Sequence, residues 1–309
     1  MHAVELNDVT KRFGAFTAVE GLSLVVPAGG VYGFIGPNGS GKTTTLRMIM
    51  RIYRPDEGRV AVLDDVAGHK PDDRVSYLPE ERSLYKHMKV RDVVRFMSRL
   101  KSHNPTNAEI DAWLEKLGLA GWENKKVEQL SKGMNQKLQF ICTVIHKPRL
   151  VLLDEVFSGL DPVNRVTMRQ MILDLRKEGT TVIFSTHDMS TAEDLCDAIL
   201  MIYKGRKVLD GTLKSIQSEY GQDVVRVRLA GATPADYADL PGVLRATDLG
   251  NQHELRVAPD ADRQRILAEL MRRGAVERFE IAHPSLQDIF VRIAGPEAQA
   301  AETAELTPA

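Results

Sequence analysis

Apolar and polar positions change rhythm several times along the chain. Val4-Glu5-Leu6-Asn7-Asp8-Val9 alternates, which predicts a half-buried strand, and Leu22-Ser23-Leu24-Val25-Val26 predicts another before Pro27. Val31-Tyr32-Gly33-Phe34-Ile35 is a third, and Gly58 to Leu63 predicts a fourth that ends at the turn-prone Asp64-Asp65. From about residue 85 to 146 the period lengthens to that of a helix. Val90, Val93, Val94 and Met97 share one face, as do Ile110, Trp113, Leu114 and Leu117, and Gly118 predicts a helix stop. Alternation of strand and helix then returns. Leu150 to Leu153 and Thr180 to Phe184 predict buried strands. Residues 163–177 between them predict a helix with Val163, Val166, Ile172 and Leu175 facing inward. Apolar strands separated by helices imply a parallel sheet covered on both faces, and so an α/β fold.

Composition shifts near residues 211–222, and a smaller α+β unit is expected beyond it. Val225, Val227 and Leu229 alternate with Arg226 and Arg228, so one face of that sheet is wet. Leu255-Arg256-Val257 and Val276 to Ile281 predict further strands. Ile266, Leu267, Leu270 and Met271 form a helical stripe, and Leu286 to Ile293 predict a closing helix. Residues 295–309 are rich in Ala, Glu and Pro and are expected to be a disordered tail. The organisation is thus residues 1–220, 221–294 and a tail.

Bulk properties narrow the function classes. Lys and Arg number 41 against 42 Asp and Glu among 309 residues, a formal net charge of −1. That balance gives no support to broad capture of nucleic acid or anionic lipid. Cys142 and Cys196 are far apart, so a disulfide scaffold or zinc site is not expected and a reducing compartment fits. The N-terminal residues lack the basic-then-apolar pattern of a signal peptide, and no run reaches a membrane-spanning length. Direct membrane insertion is therefore not expected.

Chemistry concentrates in Gly36-Pro37-Asn38-Gly39-Ser40-Gly41-Lys42-Thr43-Thr44, a complete phosphate-loop pattern between a strand and a helix. Its glycines let the chain curl so that backbone N–H groups point at a polyphosphate. Lys42 reaches the β- and γ-phosphates, and the Thr43 hydroxyl is placed to ligate magnesium. The following helix N-terminus favours negative charge. Downstream, Leu150-Val151-Leu152-Leu153-Asp154-Glu155 ends an apolar strand in two acids at the carboxyl edge of a parallel sheet. Asp154 is expected to hold magnesium and Glu155 to polarise the attacking water. Ser131 with Gly133 reads either as a second anion site at a helix start or as a plain N-cap.

In this order, with Ser158-Gly159-Leu160-Asp161 and Ser185-Thr186-His187-Asp188, the motifs of residues 4–220 resemble the ATP-binding subunit of an ABC transporter. The resemblance implies a phosphate-loop cassette with a mostly parallel core sheet, an N-terminal antiparallel β-subdomain and a helical insert. It implies that Leu130 to Met134 is the signature, Asp161 the D-loop acid, His187 the switch histidine that senses the γ-phosphate, and Phe13 the ring that stacks on adenine. It also implies a head-to-tail pair of subunits, a homodimer or a paired ATPase. In that pair Ser131, Lys132 and Gly133 of one copy face the nucleotide of the other. A separate multi-span permease would hold the pair at the cytoplasmic face of the cell membrane.

Four positions depart from the family's pattern. Glu80 stands for Gln after Tyr77-Leu78-Pro79 and is a magnesium candidate in its place. Lys132 and Met134 replace Gly and Gln in the signature, and Val156 replaces Pro after the acids. The segment Leu78 to Tyr85 and the run Pro284-Ser285-Leu286-Gln287-Asp288-Ile289-Phe290 are similar to a bacterial subgroup of export-type ATPases linked to sodium or drug efflux. Members carry a small C-terminal domain, read here as a dimer-stabilising or regulatory appendage. Two other readings stand beside the transporter: a soluble ATPase acting on ribosomes or nucleic acid, and a binding module with little turnover.

Overall fold

In the computed structural model, described over residues 2–65, 72–80, 84–220 and 224–305, the chain divides into two compact units. Side chains are described through residue 295. The first unit runs from Met1 to Thr212 and the second from Leu213 onward.

The first unit opens with β1 (His2–Phe13), β2 (Phe16–Pro27) and β3 (Val31–Ile35), then α1 (Lys42–Ile49), β4 (Glu57–Val62) and β5 (Val75–Leu78). The expected helical insert supplies α2 (Val90–Arg99), α3 (Asn107–Lys116) and α4 (Lys132–Val144). Then come β6 (Leu150–Asp154), α5 (Pro162–Lys177), β7 (Thr181–Thr186) and α6 (Met189–Leu195). The unit closes with β8 (Ala198–Tyr203) and β9 (Arg206–Gly211), two strands with no counterpart in the predicted pattern.

Strands β2-β1-β4 form an antiparallel sheet. The order β5-β6-β7-β3-β8-β9 forms a six-stranded sheet, parallel except for the last pair. The apolar runs of β6 and β7 are buried throughout because both faces are covered. Residue parity sorts them. Val151, Leu153, Val182 and Phe184 join the core shared with α2 to α5, whereas Leu150, Leu152 and Ile183 join the core with β1, β2 and α1.

Helix α5 turns out rotated from expectation. Met168, Met171, Ile172 and Leu175 are its buried residues, whereas Val163 and Val166 are 74% and 69% exposed. The buried set follows an i, i+3, i+4, i+7 ladder, which one helix face can present to the sheet; Val163 and Val166 fall off that face. Gly118 follows the end of α3 in the left-handed region, as a helix stop requires.

The second unit contains α7 (Leu213–Glu219), β10 (Val224–Leu229), β11 (Val243–Asp248), β12 (His253–Val257), α8 (Arg263–Arg273), β13 (Val276–Ala282) and α9 (Leu286–Glu305). Its sheet has the antiparallel order β11-β12-β10-β13. Val225, Val227, Leu229, Leu255 and Val257 pack with Ile266, Leu270 and Tyr237. Met271, expected in the helical stripe, is largely exposed. On the other face, Arg226 pairs with Glu254 at 3.4 Å. Helix α9 runs on over residues 295–305, part of the segment expected to be disordered; Ala and Glu there are strong helix formers. Residues 306–309 and 81–83 lie outside the described residues.

Candidate nucleotide site

Strand register sets the site. Asp154 pairs with Ser185, and Ile35, the residue before Gly36, pairs with Thr186. The carboxyl ends of β3, β6 and β7 therefore open onto one edge, where parallel sheets bind ligands.

The loop between β3 and α1 needs its glycines. Gly36 and Gly41 have φ of 148° and 108°. A Cβ at Gly36 would lie 2.1 Å from the Ile202 carbonyl oxygen, and one at Gly41 would lie 2.6 Å from that of Ala18. Any side chain would force the loop outward. Lys42 is only 5% exposed, and its Nζ donates to the carbonyl oxygens of Gly36 at 2.7 Å and Pro37 at 3.0 Å. Burial holds this ammonium below the ordinary lysine range, against the opposing pull of Glu155, Asp154 and Glu80.

Glu155 follows the last residue of β6 with φ of 48°, in the left-handed region, at a cost of about 1–2 kcal/mol for a non-glycine residue. That turn aims its carboxylate at Lys42 Nζ, 3.8 Å away, and at His187 Nδ1, 3.1 Å away. Its backbone N–H donates to Ser185 Oγ at 3.0 Å. Asp154 is fully buried and accepts from Thr43 Oγ1 at 3.1 Å, Tyr77 OH at 3.0 Å and Ser185 Oγ. A buried carboxylate is sustained only by such a ring of donors.

The structure thus brings Gly36 to Thr44, Asp154, Glu155 and His187 together. Glu80, exposed, contributes its charge to the Lys42 environment. Phe13 is 44% exposed and meets the Tyr53 ring edge at 5.3 Å, so it presents a ring rather than filling the core. Ser131 and Asp161 form a different cluster. Ser131 caps α4, accepting from Met134 N at 3.2 Å, and Asp161 caps α5, accepting from Asn164 N at 3.0 Å. Those Asn164 bonds hold the Asp161 carboxyl below its ordinary range. Gln136 Nε2 donates to the Ser158 carbonyl at 3.1 Å, which ties α4 to the loop before α5. A Cβ at Gly159 would come within 3.2 Å of Lys132 Nζ, so that side chain lies along the same loop. Val156, the residue after the two acids, is buried in the core.

Sequence reasoning passed over Ser185 and Tyr77 as site residues. The available signal was a polar side chain inside an otherwise apolar strand, since buried polar groups need partners.

The edge can receive a magnesium–triphosphate. Ser40 Oγ is buried with no hydrogen-bond partner among the described residues, next to a curled, glycine-lined loop and a desolvated cation. The Thr43 hydroxyl and the Asp154 carboxylate form the hard oxygen set that magnesium takes.

Comparison with known proteins settles the family. Residues 19–158 match the family described as ABC transporter, and residues 211–294 match the ATP-binding protein DrrA1-3-like C-terminal domain. Over 94% of its length the chain is 39% identical to the uncharacterized ABC transporter ATP-binding protein YhaQ of Bacillus subtilis (strain 168), covering 98% of that protein. The chain belongs to the ABC transporter ATP-binding family. It is also 31% identical, over 98% of its own length and 99% of the relative's, to the daunorubicin resistance ATP-binding protein DrrA3 of Streptomyces coeruleorubidus. A solved structure of an ATP-binding subunit of an ABC transporter matches 71% of this chain and 93% of its own, at 27% identity and a TM-score of 0.65. Membership explains the motif order: the cassette is a phosphate-loop, ATP-binding unit, and its α+β C-terminal domain is of the DrrA-like kind. No described helix is long and apolar enough to cross a membrane.

Proposed function

We propose that this protein hydrolyses ATP to drive a separate membrane permease, in an export-type transporter. The observation that carries the reading is Glu155 held between Lys42 and His187, beside a fully buried Asp154.

In this scheme the Gly36 to Thr44 backbone and Lys42 hold the triphosphate, and the exposed Phe13 ring stacks on the base. Thr43 and Asp154, with Glu80 nearby, hold magnesium, which supplies positive charge against the phosphate oxygens. Glu155 accepts a proton from the water that attacks the γ-phosphorus as the bond to the leaving diphosphate breaks. His187 keeps the Glu155 carboxylate in place. Ser131, Lys132 and Gly133 complete the site of a second copy, head to tail, and the Asp161 loop lies between the two sites. Contacts present with triphosphate and absent with diphosphate then open and close the pair.

A cavity of about 410 Å³ supports a permease-facing surface. It is lined by Tyr77, Leu84, Met97, Leu100, Cys142 and His146, next to the segment that carries Glu80. Exposed Tyr85 and Phe96 pack edge to face beside it. The permease would hold the subunit at the cytoplasmic face of the membrane. The name of the daunorubicin resistance relative supports the export direction.

The test is phosphate release by the purified protein with magnesium and ATP, alone and with the membrane protein that co-purifies with it. Magnesium-dependent release, raised by the membrane protein, is expected. Intact ATP after prolonged incubation in both samples would refute the reading.

A further inference from the structure

Asp154 has two oxygens, and they are not held alike. Oδ1 accepts from Thr43 and Ser185, whereas Oδ2 accepts from Tyr77 OH at 3.0 Å. Tyr77 sits on β5 opposite Leu152, two residues before Asp154, so its side chain and that of Asp154 share one face of the sheet.

Arg47 secures the tyrosine from behind. It lies four residues after Thr43 on α1, hence on the same helix face. Its guanidinium donates to Tyr53 OH at 3.1 Å and lies beside the Tyr77 hydroxyl. One helix face therefore addresses both oxygens of one carboxylate: Thr43 directly, and Arg47 through Tyr77. A cation beside a hydroxyl polarises it and makes it a stronger donor to the next group. Thr43 differs, because a threonine hydroxyl that gives its lone pair to a metal can turn its proton away from Oδ1.

We propose that Tyr77, held by Arg47, is a positioning residue that commits Asp154 Oδ2 and leaves Oδ1 as the oxygen offered to the metal. This rests on the magnesium–ATP reading of the site. Without the tyrosine hydroxyl the carboxylate can rotate, and metal affinity falls while the triphosphate contacts of the loop remain.

The experiment is a Mn2+ titration, followed by electron paramagnetic resonance, of the full chain with a non-hydrolysable ATP analogue. Tyr77→Phe is expected to weaken Mn2+ binding about tenfold, the lower end of what loss of a partner to a metal-holding group costs. Affinity for the analogue in EDTA and the thermal midpoint stay near those of the unsubstituted protein. In turnover, the magnesium half-saturation rises while the rate at saturating magnesium is kept. Arg47→Met, which leaves the tyrosine ring in place, shifts Mn2+ binding in the same direction by a smaller factor. Mn2+ affinity within twofold of the unsubstituted protein in Tyr77→Phe overturns the proposal, and so does loss of analogue affinity in EDTA in both variants. An unsubstituted protein that binds no Mn2+ with the analogue refutes the nucleotide reading itself.

Discussion

The two units treat buried polarity in opposite ways. At the sheet edge of the first, Lys42, Asp154, Glu155 and Ser185 are all buried, and they are held by one another. In the second, His253 is the buried polar side chain among the described residues, and its Nδ1 meets the Tyr237 hydroxyl at 3.0 Å. Both units bury a sheet face against helices, so burial alone does not mark a site. What differs is several charges gathered where strands end, each dependent on its neighbours. Such a cluster costs desolvation and is kept where chemistry uses it. A lone satisfied pair such as Tyr237–His253 serves packing.

That contrast can be broken most directly at Glu155. Glu155→Gln is expected to lower phosphate release at least 100-fold, the scale of a lost general base, while ATP still binds and a paired species accumulates. Release near the unsubstituted rate would remove Glu155 from the chemistry. Lys42→Ala is expected to weaken ATP binding by about tenfold or more, the scale of a lost charge-assisted contact, in an equilibrium titration. An unchanged isotherm would detach the buried cation from the ligand. The second unit supplies the control. Tyr237→Phe is expected to cost about 1 kcal/mol of stability by denaturant unfolding, as for one buried hydrogen bond, with phosphate release unchanged. A change in turnover as large as that of Glu155→Gln would erase the distinction between the units.

The smallest effect concerns pH. Burial, and then the charges of Lys101 and His103, lower His146 from 6.5 to about 4, and its Nε2 lies 2.7 Å from Ser76 Oγ. The folded imidazole resists a proton that the unfolded chain accepts. Its contribution is therefore present above pH 6.5 and is lost as pH falls toward 4. His146→Gln should flatten the fall of the thermal midpoint across that window; an unaltered slope would assign the fall to other groups.

Local pattern carried much of this molecule. The loop from Gly36 to Thr44 was legible because a phosphate cradle demands particular residue types at adjacent positions, and its chemistry is contiguous in sequence. The buried strands β3, β6 and β7 were legible because apolar runs have few other uses. Where pattern failed, the reason was geometric. Val163 and Val166 fit a helical stripe as well as Met168 and Met171 do, and only the packed sheet decided which face of α5 was buried. Strand β9 was not legible because Arg206, Lys207 and Asp210 interrupt its apolar pattern, whereas β8 is an apolar run of the same kind as β6 and its signal was present in the sequence.

The sequence by itself determined that a phosphate-binding loop lies between a strand and a helix, that two acids end another strand, and that a smaller sheet follows. Register decided the rest. Asp154 opposite Ser185, and Tyr77 opposite Leu152, set distances between residues far apart along the chain. Hydrogen bonds act only over about 3 Å. The partners of Asp154 therefore became visible only once the strands were laid side by side.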